Sequence, residues 1–430
     1  MRFFMPGNKT EYLVMAVSLL WFLTINGCTF SISTEDTDTA EDIVIISTIN
    51  LHPCSVALEI NDNWYSGEEI LYDSINDTYY FSPVSIAPYL NATVKSTSNG
   101  SYYWNETPIT IDENDPKTIK YQDLLYLSED YLQEDLHLNI YHHDSMIYID
   151  NYPTLDYSWT KYRTVYHSGG GMDGITYTNS QEVLDYNYAQ GCRLFEFDFC
   201  LTSDKIPICA HDWKRIYEIL DLTPVKQNTG KAQSAETSAS NDSDYPPLSY
   251  EEFLSNKDNS EQFTPLSYED LVEFMISHPD VYIITDTKDT KDPAITDMFK
   301  QLVSIAKQHD ESVLDRIIPQ IYNNEMGDII WKIYDWKSMI YTFYQLGSNF
   351  RYDNVYQYSR KHGIKVFTTY SSRIDMMFIN PIVDRGGYIY IHTFNQLDKA
   401  MDYIKSNRVY GIYTDYLPHD CLDDVPYPYQ

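Results

Sequence analysis

A short stretch of the chain concentrates residues that could do metal and acid–base chemistry. His167 stands beside three consecutive glycines, and Glu196 and Asp198 lie two positions apart in a strictly alternating run. Because side chains of a strand alternate between its faces, both carboxylates point to one face while phenylalanines fill the other. Two adjacent carboxylates repel each other unless a cation lies between them. The pattern therefore indicates a metal site with a histidine nearby.

A second histidine, His211, follows a short polar turn. The turn runs from Thr202 to Lys205 and separates the Glu196 strand from the next apolar run. So short a connection joins antiparallel strands. With the turn centred on its middle peptide bond, Glu196 would pair with His211 at roughly 5 Å between Cβ atoms. The sequence thus predicts that two histidines meet the carboxylates.

A third carboxylate and a cation occur later in the chain. Asp286 and Lys288 are two apart on a predicted strand and therefore share a face. Three carboxylates without a cysteine favour Mg²⁺ or Ca²⁺ over zinc. Lys288 is a candidate for binding a substrate phosphate, or simply a partner of Asp286. Phosphodiester cleavage needs neutralised phosphoryl oxygens, a base and an acid, and these residues offer all three.

The elements needed to position these residues repeat a strand and then a helix after about residue 161. Helices are predicted at 180–190, 294–309 and 395–406. Eight parallel strands are predicted at 165–167, 194–199, 281–285, 316–320, 339–343, 365–369, 388–392 and 409–414. This count indicates an α/β fold, a (β/α)8 TIM barrel over residues 161–430, with its site at the carboxyl ends of the strands.

Two features interrupt this rhythm. Residues 227–247 are rich in small polar residues without an apolar period, which predicts a mobile insertion at the barrel mouth. Two similar segments begin at Ser249 and Ser267, and these serines are predicted to cap two helices.

Residues 43–157 consist of short alternating apolar runs without a long helix. The pair Asn99-Gly100 is the strongest hairpin signal in the chain. We interpret this region as a small all-β module, antiparallel and β-sandwich-like. The chain has 41 tyrosines and an aromatic content of 15%. These indicate either β-rich packing with hydrated tyrosine tips or glycan contact through the β-module.

The charge balance bounds the partners. The chain has 63 acidic and 30 basic residues, a formal net charge of -33. Such an excess repels nucleic acid and anionic bilayers at long range, so we expect no nucleic-acid partner. Recognition of a phosphate must then be local.

The amino terminus has the pattern of an export signal. Arg2 and Lys9 accompany an apolar run from Tyr12 to Ile25 that is too short to span a bilayer comfortably. Gly27-Cys28 resembles a bacterial lipoprotein cleavage site, which predicts a signal peptide with a lipobox at 1–28 and lipidation of Cys28. A plain signal peptide and an uncleaved anchor are the alternatives. Residues 29–42 are then an acidic tether, and the protein is expected outside the cytoplasm on a membrane.

From about Tyr162 to the end, the chain resembles the glycerophosphodiester phosphodiesterase family, within the superfamily of phosphatidylinositol-phospholipase-C-like TIM barrels. The resemblance implies a divalent cation on Glu196, Asp198 and Asp286, with His167 and His211 as base and acid. It also implies that a substrate hydroxyl attacks first, giving a cyclic phosphate that can then be hydrolysed. The matching elements are His167-x-Gly-Gly-Gly, Asn179-Ser180, Glu196-x-Asp198, Thr202-x-Asp204, His211-Asp212, Asp286-x-Lys288 and Thr414-Asp415.

The chain departs from the family pattern at three places. Ser168 stands where the family commonly has Arg, and residues 176–178 replace the Pro-Glu that precedes Asn179. Asp286 stands where Glu is usual. These changes concern substrate contacts more than the acid–base pair, so the chemistry is better supported than the substrate.

Three functions fit these observations. The first is a metal-dependent hydrolase of glycerophosphodiesters or related lipid-headgroup phosphodiesters. The second is a cyclising enzyme similar to phospholipases C or D, acting on intact or lysophospholipids. The third is an inactive surface lipoprotein that binds glycan or cell-wall polymer. The complete set of His167, His211 and three carboxylates weighs against the third.

Overall fold

The computed structural model describes residues 49–67, 69–98, 100–111, 115–224, 244–257, 262–287, 289–343 and 351–428. The predicted signal peptide with Cys28, the tether at 29–42, Lys288 and most of segment 227–247 lie outside these residues. The chain divides into two compact units between Asn151 and Tyr152. Within the described ranges, no helix has both the length and the apolar character needed to cross a membrane.

From residue 49 onward, the described part of the first unit is an all-β module with only short helical turns. Its helix α1 spans Pro83–Ile86, and a π-helical turn spans Tyr131–Asp135. Its strands are β1 (Leu51–Cys54), β2 (Ala57–Ile60), β3 (Asn63–Trp64), β4 (Ile70–Asp73), β5 (Thr78–Phe81), β6 (Val94–Ser96), β7 (Tyr102–Trp104), β8 (Thr107–Ile109), β9 (Thr118–Tyr121), β10 (Leu124–Ser128), β11 (Asn139–His143) and β12 (Met146–Asp150).

These strands form three sheets in the orders β1-β4-β5-β10-β9, β11-β12-β2-β3 and β6-β7-β8. The hairpin predicted around Gly100 is confirmed, since β6 and β7 pair antiparallel. The expectation of a purely antiparallel module is wrong at one place, because β2 and β12 pair in parallel. These two strands are far apart in sequence, and local turn signals predict only pairings between neighbouring strands.

The described residues of the second unit form nine strands, of which eight are the parallel strands of a closed barrel. They are ordered β13-β21-β20-β19-β18-β17-β16-β14, and β13 pairs with β14 to close the ring. The predicted TIM barrel is therefore confirmed. Its strands are β13 (Thr164–Tyr166), β14 (Leu194–Leu201), β15 (Pro207–Cys209), β16 (Tyr282–Thr287), β17 (Ile317–Ile321), β18 (Ile340–Thr342), β19 (Val366–Tyr370), β20 (Tyr388–His392) and β21 (Gly411–Thr414).

Nine α-helices of the described chain accompany these strands. They are α2 (Gln181–Ala189), α3 (Trp213–Ile219), α4 (Tyr250–Lys257), α5 (Tyr268–Ser277), α6 (Ala294–His309), α7 (Asn324–Trp331), α8 (Tyr352–Lys361), α9 (Met376–Val383) and α10 (Leu397–Asn407).

The period of two along each barrel strand explains where the core lies. One alternating set of side chains packs against the helices, and the other fills the barrel interior. The interior cluster contains one fully buried residue from each parallel strand: Val165, Leu194, Ile284, Ile318, Ile340, Val366, Tyr390 and Tyr413. This layer supports the polar residues at the carboxyl ends of the same strands.

Strand β15 pairs antiparallel with β14, as predicted, but the predicted register is wrong by one residue. Phe199 pairs with Cys209, and the backbone carbonyl of Asp198 accepts a hydrogen bond from the Ala210 N–H at 2.9 Å. The reason is the turn, in which Lys205 has a left-handed φ of 71°. The loop therefore has three residues and is centred on a residue rather than on a peptide bond. His211 consequently lies one position away from the place opposite Glu196.

Both predicted helix caps have side chains that bond to the first turn. The Ser267 hydroxyl accepts from the Asp270 N–H at 3.1 Å, and the Asp270 carboxylate accepts from the Ser267 N–H at 2.8 Å. This reciprocal pair is a capping box. Ser249 and Glu252 make the corresponding two bonds at 3.2 and 2.8 Å.

We expect Ser267→Ala to lower the free energy of unfolding by about 1 kcal/mol, because the first turn of α5 would lose a buried acceptor. Ser304→Ala is the matched control, since Ser304 is an exposed residue within α6. Urea unfolding followed by circular dichroism measures both. Equal unfolding free energies for the two variants would contradict the role of the cap.

Candidate active site

Three carboxylates meet at the mouth of the barrel. Glu196 and Asp198 project from β14 and Asp286 from β16, and the two aspartates are register partners on neighbouring parallel strands. All three are buried, with exposed fractions of 1%, 1% and 6%. One oxygen of each lies within 4.8 Å of the others. The structure therefore brings together the three residues predicted as metal ligands.

Hydrogen-bond donors fix one side of each carboxylate. Ser168 donates its N–H to Glu196 Oε2 at 2.8 Å and its hydroxyl to Asp198 Oδ2 at 2.7 Å. Asn179 donates its amide to the same Asp198 oxygen at 3.0 Å, and the Tyr322 hydroxyl donates to Asp286. Because the donors hold these oxygens, the carboxylates have defined orientations even though they repel one another.

Glu196 is buried beside the charges of Asp198 and Asp286. Burial and the charges of Asp198 and Asp286 outweigh the lowering effect of His167 and raise the pKa of Glu196 from 4.5 to about 8. Its Oε1 atom is buried and has no hydrogen-bond partner among the described residues. A buried acceptor without a donor is costly, and a cation would satisfy it. The oxygen-only donor set fits Mg²⁺ or Ca²⁺.

The loop after β13 requires unusual backbone conformations. Ser168 has a φ of 51°, and Gly170 has a φ of 96°. A Cβ atom at Gly170 would lie 2.5 Å from the Asn187 side-chain nitrogen. Glycine is therefore required there, because it adopts positive φ without cost and leaves room for the neighbouring amide. This loop delivers Ser168 to the carboxylates.

His167 follows β13 directly and is oriented by a carboxylate. Its Nδ1 lies 3.0 Å from Asp415 Oδ1, and Asn395 bonds to the Asp415 side chain at 2.7 Å and accepts from its N–H at 2.8 Å. Since Asp415 accepts from Nδ1–H, the Nε2 atom is the one available for proton transfer. Burial lowers the pKa of His167, but the bond to Asp415 and the charges of Glu196 and Asp198 outweigh it and raise the pKa from 6.5 to about 9.

His211 lies after β15 in a more open environment. Its side chain is 40% exposed, and its Nδ1 lies 2.8 Å from Asp212 Oδ2. Asp212 is also the N-cap of α3, where its Oδ1 accepts from the Arg215 N–H. The ring of Tyr177 contacts both histidines edge to face, at 4.5 Å from His167 and 5.7 Å from His211 between ring centroids. The structure thus places both predicted histidines at the same mouth.

Several residues at the site were not among the predicted site residues. Asp415, Tyr322 and His392 lie at or just beyond the carboxyl ends of β21, β17 and β20. The His392 ring lies 6.5 Å from that of His167. A polar or aromatic residue at the carboxyl end of a barrel strand is the signal that could have found them. The phosphate contact of Lys288 stays a prediction, because this residue is outside the described ranges.

Comparisons with known proteins agree with this geometry. A model of the family described as "Glycerophosphoryl diester phosphodiesterase family" matches residues 167–418, which is more than half of the chain. This range begins at His167 and includes both histidines, the three carboxylates and Asp415. A search of curated proteins finds no match.

Solved structures also match the chain. A phosphodiesterase from Oleispira antarctica, in complex with the product sn-glycerol-3-phosphate, has a TM-score of 0.44 and 15% identity, covering 61% of this chain and 95% of its own. A glycerophosphodiester phosphodiesterase from Parabacteroides distasonis has a TM-score of 0.44 and 16% identity, covering 61% of this chain and 95% of its own. A glycerophosphodiester phosphodiesterase from Thermotoga maritima has a TM-score of 0.40 and 13% identity, covering 59% of this chain and 94% of its own.

The family model matches residues 167–418, more than half of the chain, and this match shows the family. The chain belongs to the glycerophosphoryl diester phosphodiesterase family, and its barrel is a phosphodiesterase domain.

Proposed function

We propose that the barrel hydrolyses glycerophosphodiesters or related lipid-headgroup phosphodiesters in a reaction that depends on a divalent cation. One observation carries the proposal: three buried carboxylates converge within 4.8 Å beside a histidine that a fourth carboxylate orients. Isolated buried carboxylates are costly, so their convergence needs a compensating positive charge.

Glu196, Asp198 and Asp286 are the residues that would hold Mg²⁺ or Ca²⁺. Their oxygen atoms suit a hard cation, and the Glu196 Oε1 atom lacks another partner among the described residues. When bound, such an ion neutralises phosphoryl oxygens and so favours attack on phosphorus. The carboxylates alone would repel the phosphodiester, which is itself an anion.

His167 is proposed as the base and His211 as the acid. The Nδ1 atom of His167 is bonded to Asp415, so Nε2 would accept the proton of the substrate hydroxyl next to the phosphate. The raised pKa of His167 keeps its ring protonated near neutral pH while the carboxylates are uncompensated. A base must be neutral, so compensation of the carboxylate charge has to precede proton transfer to His167.

His211 would donate a proton to the departing oxygen. Its partner Asp212 holds Nδ1, which leaves Nε2 for the leaving alcohol. Attack by the substrate hydroxyl gives a cyclic phosphate and releases the alcohol. Hydrolysis of the cyclic phosphate then reverses the roles of the two histidines.

A cyclising activity on intact or lysophospholipids is the alternative within the same chemistry. The two reactions differ in their products, because the alternative stops at the cyclic phosphate. Phosphorus NMR of reactions with glycerophosphocholine and with lysophosphatidylcholine distinguishes them. Open glycerol phosphate from glycerophosphocholine supports the first, and a cyclic product from the lysolipid alone supports the second.

We expect the metal-free protein to lose thermal stability as pH rises from about 6.5 to about 9. The pKa of His167 is raised to about 9 in the fold, so its stabilisation is complete below its unfolded value of 6.5 and is lost above about 9. The pKa of Glu196 is raised from 4.5 to about 8, so its ionisation opposes folding as pH rises from about 4.5 to about 8, a window that overlaps that of His167. Scanning calorimetry in chelator and in excess Mg²⁺ measures this.

Mg²⁺ should raise the melting temperature most at high pH, where the carboxylates are ionised. Glu196→Gln should flatten the pH dependence in chelator, whereas Glu325→Gln, at an exposed position in α7, should not. A pH dependence that Mg²⁺ leaves unchanged would argue against a cation at these carboxylates.

We expect His167→Ala and His211→Ala each to lower kcat by roughly 10² to 10⁴, the range for general acid–base groups. The double variant should lose little more, because base and acid serve one displacement. A nitrophenyl diester needs no proton on its departing oxygen, so it should partly rescue His211→Ala but not His167→Ala.

His309→Ala is the matched control, because His309 also pairs with a carboxylate but lies at the end of α6. Steady-state rates with both substrates measure the effect. Equal rescue of both variants would reverse our assignment of base and acid, and normal activity in either would remove that histidine from the reaction.

We also propose that the protein is exported and tethered to a membrane through a lipidated Cys28. The basis is the sequence pattern of residues 1–28, which lie outside the described part of the chain. A tether would keep the barrel near lipid-derived substrates.

Cys28→Ser is expected to release the protein from membranes or to leave an unprocessed precursor, because the lipid acceptor would be lost. Cell fractionation and electrophoretic mobility measure the outcome, with Cys54→Ser as the control. Unchanged fractionation and mobility would contradict lipidation of Cys28.

A further inference from the structure

A single aromatic ring contacts both histidines of the site. The Tyr177 ring lies edge to face on His167, with centroids 4.5 Å apart and planes at 89°. It meets His211 in the same way, at 5.7 Å and 81°. Edge-to-face packing is a preferred arrangement of aromatic rings, so each contact favours one orientation of the imidazole. Each imidazole is therefore placed relative to the same ring.

The backbone of Tyr177 is in a conformation that a bulky residue rarely adopts. Its φ is 60°, in the left-handed region. Such a conformation costs free energy and persists only where surrounding contacts determine it. The segment 176–178 is also where this chain departs from the Pro-Glu that its family commonly has before Asn179. Contacts within the fold, rather than local backbone preference, therefore set the position of Tyr177.

Arg215 supplies contacts that hold this segment. Its Nε donates to the Tyr177 carbonyl and its Nη2 to the Thr176 carbonyl, each at 3.4 Å. Its own N–H donates to Asp212 Oδ1 at 2.8 Å, and the other oxygen of Asp212 holds His211. One residue of α3 therefore connects the backbone of Tyr177 with the carboxylate that orients His211.

We propose that Tyr177 is a positioning residue for the two histidines, and that Arg215 holds Tyr177 in place. The proposal rests on the proposed function, since it assigns the acid and base to His167 and His211. A base and an acid that serve one displacement must keep a fixed separation, and an error of 1 Å can cost about 10²-fold in rate. The aromatic ring fixes that separation, and the hydroxyl is not required.

The first test compares variants of the two residues with glycerophosphocholine and Mg²⁺. Tyr177→Leu removes the ring and should lower kcat by about 10- to 100-fold with KM changed less than about threefold. Tyr177→Phe keeps the ring and should stay within about threefold of the unmodified protein in both constants. Arg215→Met keeps the length but removes the donors, and should lower kcat in the same direction as Tyr177→Leu.

Tyr186→Leu is the matched control, because Tyr186 is a similarly exposed tyrosine on α2. Normal kcat in Tyr177→Leu, with His167→Ala and His211→Ala inactive, would overturn the proposal. Loss of activity in Tyr177→Phe would also overturn it, because the hydroxyl would then be the acting group. If Tyr177→Leu does not fold, as judged by circular dichroism, the kcat of Arg215→Met tests the proposal instead. A normal kcat in that variant would then overturn it.

The second test does not depend on activity. In the metal-free protein, the ring current of Tyr177 should displace the imidazole proton NMR signals of His167 and His211. The signals are assigned with His167→Ala and His211→Ala. Tyr177→Leu should move both signals, whereas Tyr177→Phe and Tyr186→Leu should move neither.

The two tests separate failure of this inference from failure of the proposed function. An unmodified protein that cleaves no phosphodiester, with both NMR signals displaced by Tyr177, would remove the proposed function and leave the contacts intact. An active enzyme whose histidine signals are unaffected by Tyr177→Leu would remove the positioning role alone.

Discussion

The mutual repulsion of three buried carboxylates is the interaction on which the rest of the site depends. Glu196, Asp198 and Asp286 lie within 4.8 Å in an environment that screens charge poorly. Hydrogen bonds from Ser168, Asn179 and Tyr322 and the nearby imidazole of His167 partly offset this repulsion. These contacts orient the carboxylates, but burial and the charges of Asp198 and Asp286 still raise the pKa of Glu196. A site that is costly without a cation is thereby prepared to bind one.

The two histidine–carboxylate pairs resemble each other chemically but lie in different environments. The pair of His167 with Asp415 is buried, whereas the pair of His211 with Asp212 is about two-fifths exposed. Burial lowers the pKa of His167, but the bond to Asp415 and the charges of Glu196 and Asp198 outweigh it and raise the pKa. Placing two similar groups in unlike surroundings is how proteins give them different protonation states. The difference supports distinct roles for the histidines, and the ring of Tyr177 keeps them in one arrangement.

Sequence patterns predicted the barrel and its carboxylates because both depend on short-range periodicity. Alternation along β14 fixes the common face of Glu196 and Asp198, and parallel strands bring Asp286 beside them. The hairpin register was not predictable in the same way, because it depended on the left-handed conformation of one residue, Lys205. The parallel pairing of β2 with β12 and the approach of Asp415 to His167 join distant parts of the chain. Local patterns contain little information about such contacts.

The backbone around the carboxylates shows where this chain departs from local preferences. Ser168, Tyr177 and Asn179 all have φ values between 49° and 60°, although none is glycine. Each makes a contact that reaches the site: Ser168 and Asn179 to Asp198, and Tyr177 to both histidines. Left-handed conformations of this kind cost of order 1–3 kcal/mol each, so hydrogen bonds to charged groups must offset them. Conflict between local preference and tertiary contact is expected at functional sites. The strained backbone at Ser168, Tyr177 and Asn179 therefore brings groups into contact with the carboxylates and with both histidines.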